Sequence, residues 1–355
     1  METNNITKMF FGINENENDY LKYDEQSIEV DDIKLLSVND ILNLEVNDNN
    51  WLYYPLVHRE GITMISGAPA VRKSFFSLLL CLSLTNIKKN RFEVKGWEPK
   101  INKNVNCLYI DGEMSNFSIK ERFKDICKEN QTNNNHLSYL TLANLYDCLE
   151  KQQKKGVFDF DITLENEVFQ QWIMKTCKKN QFKLVVFDNL LSLTKQDINS
   201  QQNYLIINRL FMKLRALGIS VLIVHHNNKG GKNFLGSSTI SANLDIHINL
   251  SLKSDGNNKF KFEKFRSQIE ENEKEKFLEY DTDNSMFFST SDRNIEKQKQ
   301  KEMIDKKIIE MLQENKKGNE ISEHLKKLYP NVKGISQSSI TRIKKKWKKT
   351  LEQQE

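Results

Sequence analysis

Clustered metal or disulfide ligands are missing from this sequence. Its five cysteines, Cys81, Cys107, Cys127, Cys148 and Cys177, are scattered along 355 residues with no C-x-x-C pair and no grouped histidines. That argues against a zinc site or a disulfide framework and for a reducing compartment. Long apolar runs are missing too. The longest, Phe75 to Leu84, is too short to span a bilayer. The first residues are acidic and Asn-rich, so no signal peptide is expected. A cytoplasmic protein with no membrane partner is the expectation.

What is present is a soluble, globular composition, 38% apolar and 28% charged. The length allows one full domain and a smaller one. A net charge of +5 hides a strong asymmetry. Residues 1–50 carry 12 Asp/Glu against 3 Lys/Arg, whereas residues 297–349 carry 16 Lys/Arg against 6 Asp/Glu. A basic end on a nearly balanced body suggests a polyanionic partner, most simply DNA. The other reading of that end is a solvated Lys-rich tail.

The stretch Gly61 to Phe76, GITMISGAPAVRKSFF, runs from an apolar strand through a turn into an apolar helix. The turn nearly spells the P-loop, G-x-x-x-x-G-K-[ST]. The segment Gly67, Ala68, Pro69, Ala70, Val71, Arg72, Lys73, Ser74 and Phe75 is the candidate phosphate cradle. In such a loop, backbone N–H groups at a helix N-terminus surround nucleotide phosphates. The Lys neutralises the outer phosphates and the Ser hydroxyl ligates Mg2+, so ATP and Mg2+ are the expected ligands. Two positions depart from the pattern. Arg72 stands where the second Gly belongs, and Ala70 where many such loops carry another. A side chain takes up room the backbone needs to approach the phosphates. If the loop is in use, the Arg72 side chain must leave the cradle and the loop is strained.

In chain order, residues 1–45 read as an acidic, flexible arm in which SVNDILNLEV could form a short helix. Residues 46–290 alternate strands and helices, which means a parallel, doubly covered sheet. Strands are expected at 105–111, 183–188 and 219–225. Helices are expected at 73–87, 116–130, 165–179 and 200–217. Residues 131–160 read as a loop with a short strand. Three strands with tight turns, at 244–252, 259–265 and 276–280, suggest an antiparallel extension. Residues 291–302 read as a linker or helix start. Beyond it lie helices near 303–315, 319–328 and 336–349, with Ser336 placed to cap the last.

The ends of the core strands offer Lys73 and Ser74, Glu113, Asp188 and His226 in order. In an open parallel sheet these ends line the edge where ligands bind. Asp188 closes an apolar strand and would hold Mg2+; Glu113 could polarise a water; His226 could sense the outer phosphate. Taken singly, the same residues also read as a helix cap, a solvated turn and polar loop packing.

From Trp51 to Tyr280 the chain resembles the RecA-like ATPases of the plasmid replicative helicase RepA type, relatives of DnaB and of the AAA-type ATPases. The landmarks are GAPAVRKS, LYIDGEM, LVVFDN, VLIVHHNNKGG and LGSSTISANLDI. The resemblance implies an ATP-binding, α/β RecA-like core that assembles as a ring. It gives Lys73 and Ser74 to phosphate and Mg2+, Glu113 to the catalytic base, Asp188 to the metal and His226 to the site. Where those proteins carry an Arg on the strand after the GSS motif, this chain has Asp245. Lys264 and Arg266 resemble the Lys-x-Arg pair that DnaB-like ATPases insert into a neighbour's site. The alternative for that pair is an exposed basic strand.

Residues 303–355 resemble a helix-turn-helix. Ile340, Ile343 and Trp347 recur at helical spacing toward a small core, leaving Ser338, Thr341, Arg342 and Lys345 for a nucleic acid groove. Lys344, Lys345, Lys346 and Lys348 would contact phosphates. A basic oligomerisation helix is the other reading. Two functions are compatible with all this. One is an ATP-driven ring protein acting on DNA, helicase-like, in replication of a mobile element. The other is a DNA-binding regulator whose ATPase core no longer hydrolyses.

Overall fold

Strands covered on both faces need apolar side chains at successive positions, and the core strands have them. The computed structural model describes residues 36–43, 50–127, 135–153, 162–195, 200–227, 238–253, 256–266, 274–314, 316–329 and 336–351. Most of the acidic arm, and the GSS motif apart from Ser238, lie outside them. The described chain falls into two compact units that divide between Phe288 and Ser289.

The strands of the first unit are, in order, β1 (Trp51–Tyr54), β2 (Val57–His58), β3 (Ile62–Gly67), β4 (Phe92–Glu93), β5 (Glu98–Pro99), β6 (Asn106–Asp111), β7 (Leu137–Thr141), β8 (Phe182–Asp188), β9 (Ser220–His226), β10 (Ile246–Leu252), β11 (Asn258–Phe265), β12 (Glu275–Asp281) and β13 (Met286–Ser289). Strands β2, β1 and β5 form a small antiparallel sheet. The other ten form one sheet in the order β4-β13-β12-β11-β10-β3-β9-β8-β6-β7. From β10 to β7 every neighbour is parallel, and β11 and β12 add antiparallel strands beside β10. This is the α/β architecture, a parallel sheet with an antiparallel extension, that the alternation of strands and helices leads one to expect.

Period-two alternation sends the core strands into two hydrophobic layers. Tyr109, Val186, Leu222 and Ile248 join the layer under the helix Lys73–Thr85. Leu108, Val185, Val221 and Ile223 join the layer under Glu167–Lys179 and Gln201–Ala216. Each fully buried Leu, Val or Phe contributes roughly 1.5–3 kcal/mol, so the strand ends are carried on a rigid support.

Two segments carry more helix than expected. In the segment 131–160, expected as a loop with a short strand, the strand is there as Leu137–Thr141, parallel to β6 at the sheet edge, but it is followed by a helix, Leu142–Gln153. Leu140, Leu142 and Leu145 pack on the second layer. The stretch 291–302 is helical throughout, as the first half of Thr290–Gln313. Lys, Glu and Gln are good helix formers, and the Ser289 hydroxyl caps the start by accepting from Asp292 N at 3.3 Å.

The second unit packs Thr290–Gln313, Gly318–Leu328 and Gln337–Leu351 around Ile304, Ile308, Met311, Ile321, Leu325 and Ile340. No described helix is long and apolar enough to cross a membrane.

Candidate nucleotide site

Gly67 ends β3, and its missing side chain is a geometric necessity. A Cβ there would collide with the Leu250 carbonyl and lie 2.8 Å from Val71 Cγ2. The turn that follows exposes Ala68, Pro69 and Ala70, and the helix begins at Lys73. Ala70 and Arg72 both sit in the left-handed region, at φ 63° and 67°. These are the two positions where the sequence departs from glycine, and left-handed backbone disfavours any residue with a Cβ.

The Arg72 side chain turns away from the cradle. Its Nη1 donates to Asn258 Oδ1 at 3.1 Å and to the Gly256 carbonyl at 3.4 Å, and its guanidinium lies 5.8 Å from the Tyr280 ring centre. Lys73 folds the other way. Its Nζ donates to the Gly67 and Ala68 carbonyls at 3.0 and 2.7 Å and lies 3.4 Å from His226 Nδ1. Burial pulls the ammonium down to about 8, against the opposing pull of Asp188 and Glu113.

The parallel register sets the other groups beside it. Gly67 pairs with His226 across β3 and β9, and Asp111 with Asp188 across β6 and β8. Asp188 is 3% exposed and accepts hydrogen bonds from the Tyr109 and Ser74 hydroxyls. Burial pushes its carboxyl up to about 6. Asp111 accepts from the Glu113 and Met114 amides at 2.7 and 2.9 Å, forming the turn that presents Glu113. Tyr139 donates to the other Asp111 oxygen, and its ring stacks on Tyr109 at 4.8 Å.

Glu113 Oε1 accepts from Asn189 Nδ2 at 2.5 Å and lies 3.8 Å from His226 Nε2. His226 is held below its usual pKa by burial and by Lys73, so it is neutral near pH 7. The five groups expected at one site, Lys73, Ser74, Glu113, Asp188 and His226, therefore converge.

The donor set fits ATP and Mg2+. A cradle that a Cβ would fill, with an ammonium at its mouth, suits phosphate oxygens. A hydroxyl beside a buried carboxylate is the oxygen-only partner set that Mg2+ takes, completed by phosphate and water.

Lys264 and Arg266 do not reach this chain's own site. Strand β11 is antiparallel to β10, so they stand at the edge opposite the P-loop. Lys264 Nζ donates to the Ser241 and Ala242 carbonyls, and Arg266 pairs with Asp245 at 3.1 Å. Asp245 is buried and also accepts from Ile62 N and Arg215.

Sequence reasoning missed Tyr109, Asn189 and Asn258. Tyr109 shares a strand face with Asp111, a signal that alternation could have given. Asn189 directly follows Asp188. Asn258 carries no local signal, because its partners are the remote Val71 and Arg72.

In the second unit, Ser338, Thr341, Arg342, Lys344 and Lys345 are exposed on Gln337–Leu351, while Ile340 is buried and Ile343 and Trp347 pack against its core. The side chains of Lys346 and Lys348 lie outside the described residues. The Ser336 hydroxyl accepts from Ser339 N at 3.3 Å, which caps that helix.

Comparison with known proteins adds the following. A family model described as AAA domain matches residues 26–232. No curated protein matches the chain. Among solved structures, a KaiC-like protein from the hyperthermophilic archaeon Pyrococcus horikoshii OT3 is similar, with a TM-score of 0.44 and 10% identity over 66% of this chain and 93% of that one.

Proposed function

This chain belongs to the AAA domain family, and we propose that it is an ATP-hydrolysing, RecA-like ring protein that acts on DNA, as a helicase or helicase-like ATPase of a mobile element. The first unit is an AAA-type, RecA-like P-loop ATPase domain, and such domains bind ATP with Mg2+. The observation that carries hydrolysis is the chain of contacts from Lys73 Nζ to His226 Nδ1 and from His226 Nε2 to Glu113 Oε1.

Each group then has a task. The loop amides and Lys73 bind the phosphates, and Ser74 and Asp188 hold Mg2+. Mg2+ held there would supply neutralisation of charge developing on the phosphate oxygens. Glu113, about half exposed, can orient a water and take its proton at Oε1. His226 lies between the phosphate-binding Lys73 and that base, in contact with both. Its position lets it pass the state of the outer phosphate to Glu113.

The DNA part rests on the exposed cationic face of Gln337–Leu351 and on the charge asymmetry of the chain. The ring rests on the family resemblance. One observation favours the non-hydrolysing alternative: the left-handed positions 70 and 72 carry side chains. Titrating single-stranded DNA into the full chain with Mg2+ and ATP tests the proposal. A DNA-stimulated release of phosphate supports it; a turnover unmoved by DNA contradicts the DNA-coupled part.

A further inference from the structure

We infer that Asn258 is a positioning residue for the phosphate cradle, holding Arg72 in the left-handed conformation that glycine adopts freely in a standard P-loop. The inference rests on the nucleotide-binding reading above and adds a residue to it. Asn258 opens β11 and is fully buried, yet its polar atoms reach back to the loop. Its Nδ2 donates to the Val71 carbonyl at 2.9 Å, and its Oδ1 accepts from Arg72 Nη1 at 3.1 Å. The amide has one workable orientation, since a flip would set N–H against guanidinium and oxygen against carbonyl.

The two bonds bracket the strained position. The Val71 carbonyl belongs to the peptide that sets φ of Arg72, and the guanidinium is the far end of the same residue. The Gly256 carbonyl and the Tyr280 ring hold that charge from the same side. The Arg72 carbonyl in turn accepts from Phe76 N at 2.9 Å, the first bond of the helix that carries Lys73. If Arg72 relaxed to right-handed backbone, the Val71–Arg72 peptide would turn and the Lys73 amide would leave the cradle. A buried side chain from another strand therefore does by hydrogen bonding what glycine does by lacking a Cβ.

The test is a double-mutant cycle in the full chain, read as the Kd of a non-hydrolysable ATP analogue with Mg2+, alongside thermal unfolding without nucleotide. Asn258→Ala is expected to weaken binding roughly tenfold in the parent chain, the size of a left-handed penalty converted to affinity. In the Arg72→Gly background the same change is expected to move Kd by less than about threefold, because glycine needs no clamp. Equal losses in both backgrounds, or none in the parent, would overturn the inference. A merely structural role would lower the melting temperature and cost the same affinity in either background. Should Asn258→Ala not fold, Asn258→Ser keeps a polar group too short for both bonds and is expected to give the same pattern. Failure of the parent chain to bind the analogue at all would overturn the nucleotide site itself, which separates the two claims.

Discussion

Asn189 Nδ2 donates to Oε1 of Glu113 at 2.5 Å, and the same amide is oriented by Ser192 N, which donates to its Oδ1 at 3.0 Å. The residue after Asp188, the candidate metal ligand, thus fixes the position of the candidate base. A hydrogen bond to a charged acceptor is worth about 1.5–3 kcal/mol. Asn189→Ala is expected to lower the turnover number by about tenfold or more with little change in nucleotide affinity. Steady-state kinetics with a parallel binding titration check it. A raised Kd with unchanged turnover would assign Asn189 to binding.

Asp188 makes the pH dependence of the nucleotide-free protein unusual. Its folded pKa of about 6 lies above the ordinary carboxylate value, so between pH 4 and 6 the folded state holds the proton more tightly than the unfolded one. Stability from this group is fully present below pH 4 and is lost as the pH rises to 6. The loss is on the order of 2–3 kcal/mol. Denaturant titrations are expected to show Asp188→Asn gaining on the parent chain across that window when neither nucleotide nor Mg2+ is present. A pH-independent difference would contradict the raised pKa.

On the exposed face of Gln337–Leu351, replacing Arg342, Lys344 and Lys345 by Ala is expected to weaken DNA binding uniformly across sequences. Each lost phosphate contact reduces the slope of log K against log salt by roughly 0.9 for duplex. Binding isotherms at several salt concentrations measure it. An unchanged slope would mean that these residues serve something other than DNA.

At Arg72, the left-handed backbone costs about 1–2 kcal/mol relative to glycine, while the side chain is anchored outside the cradle. Arg72→Gly is therefore expected to keep hydrolysis and tighten ATP binding by a few-fold, read as Kd and turnover in the same preparation. Loss of activity would mean that the Arg72 charge is itself needed.

Much of this was legible in the sequence, because strand ends in a parallel sheet are fixed by apolar runs with a polar residue at the close. GITMISG, LYIDGE, LVVFDN and VLIVHH are enough to set Lys73, Glu113, Asp188 and His226 at one edge. The residues that orient them were less visible. Tyr109 looks like an ordinary core aromatic until its hydroxyl meets Asp188. Asn258 looks like a turn residue until the antiparallel return of β11 brings it beside Val71. Lys264 and Arg266 were legible only through their resemblance to a Lys-x-Arg pair that enters a neighbour's site; the direction of β11 sets them at the edge opposite this chain's own P-loop, where Arg266 pairs with Asp245.

The central claim is that this edge hydrolyses ATP with Glu113 as the base, and Glu113→Gln tests it most directly. The substitution removes the proton acceptor and leaves Lys73, Ser74 and Asp188 in place. The account predicts that the variant binds ATP and Mg2+ as tightly as the parent chain but turns over about 10²–10⁴-fold more slowly. An unchanged turnover number in Glu113→Gln would contradict it.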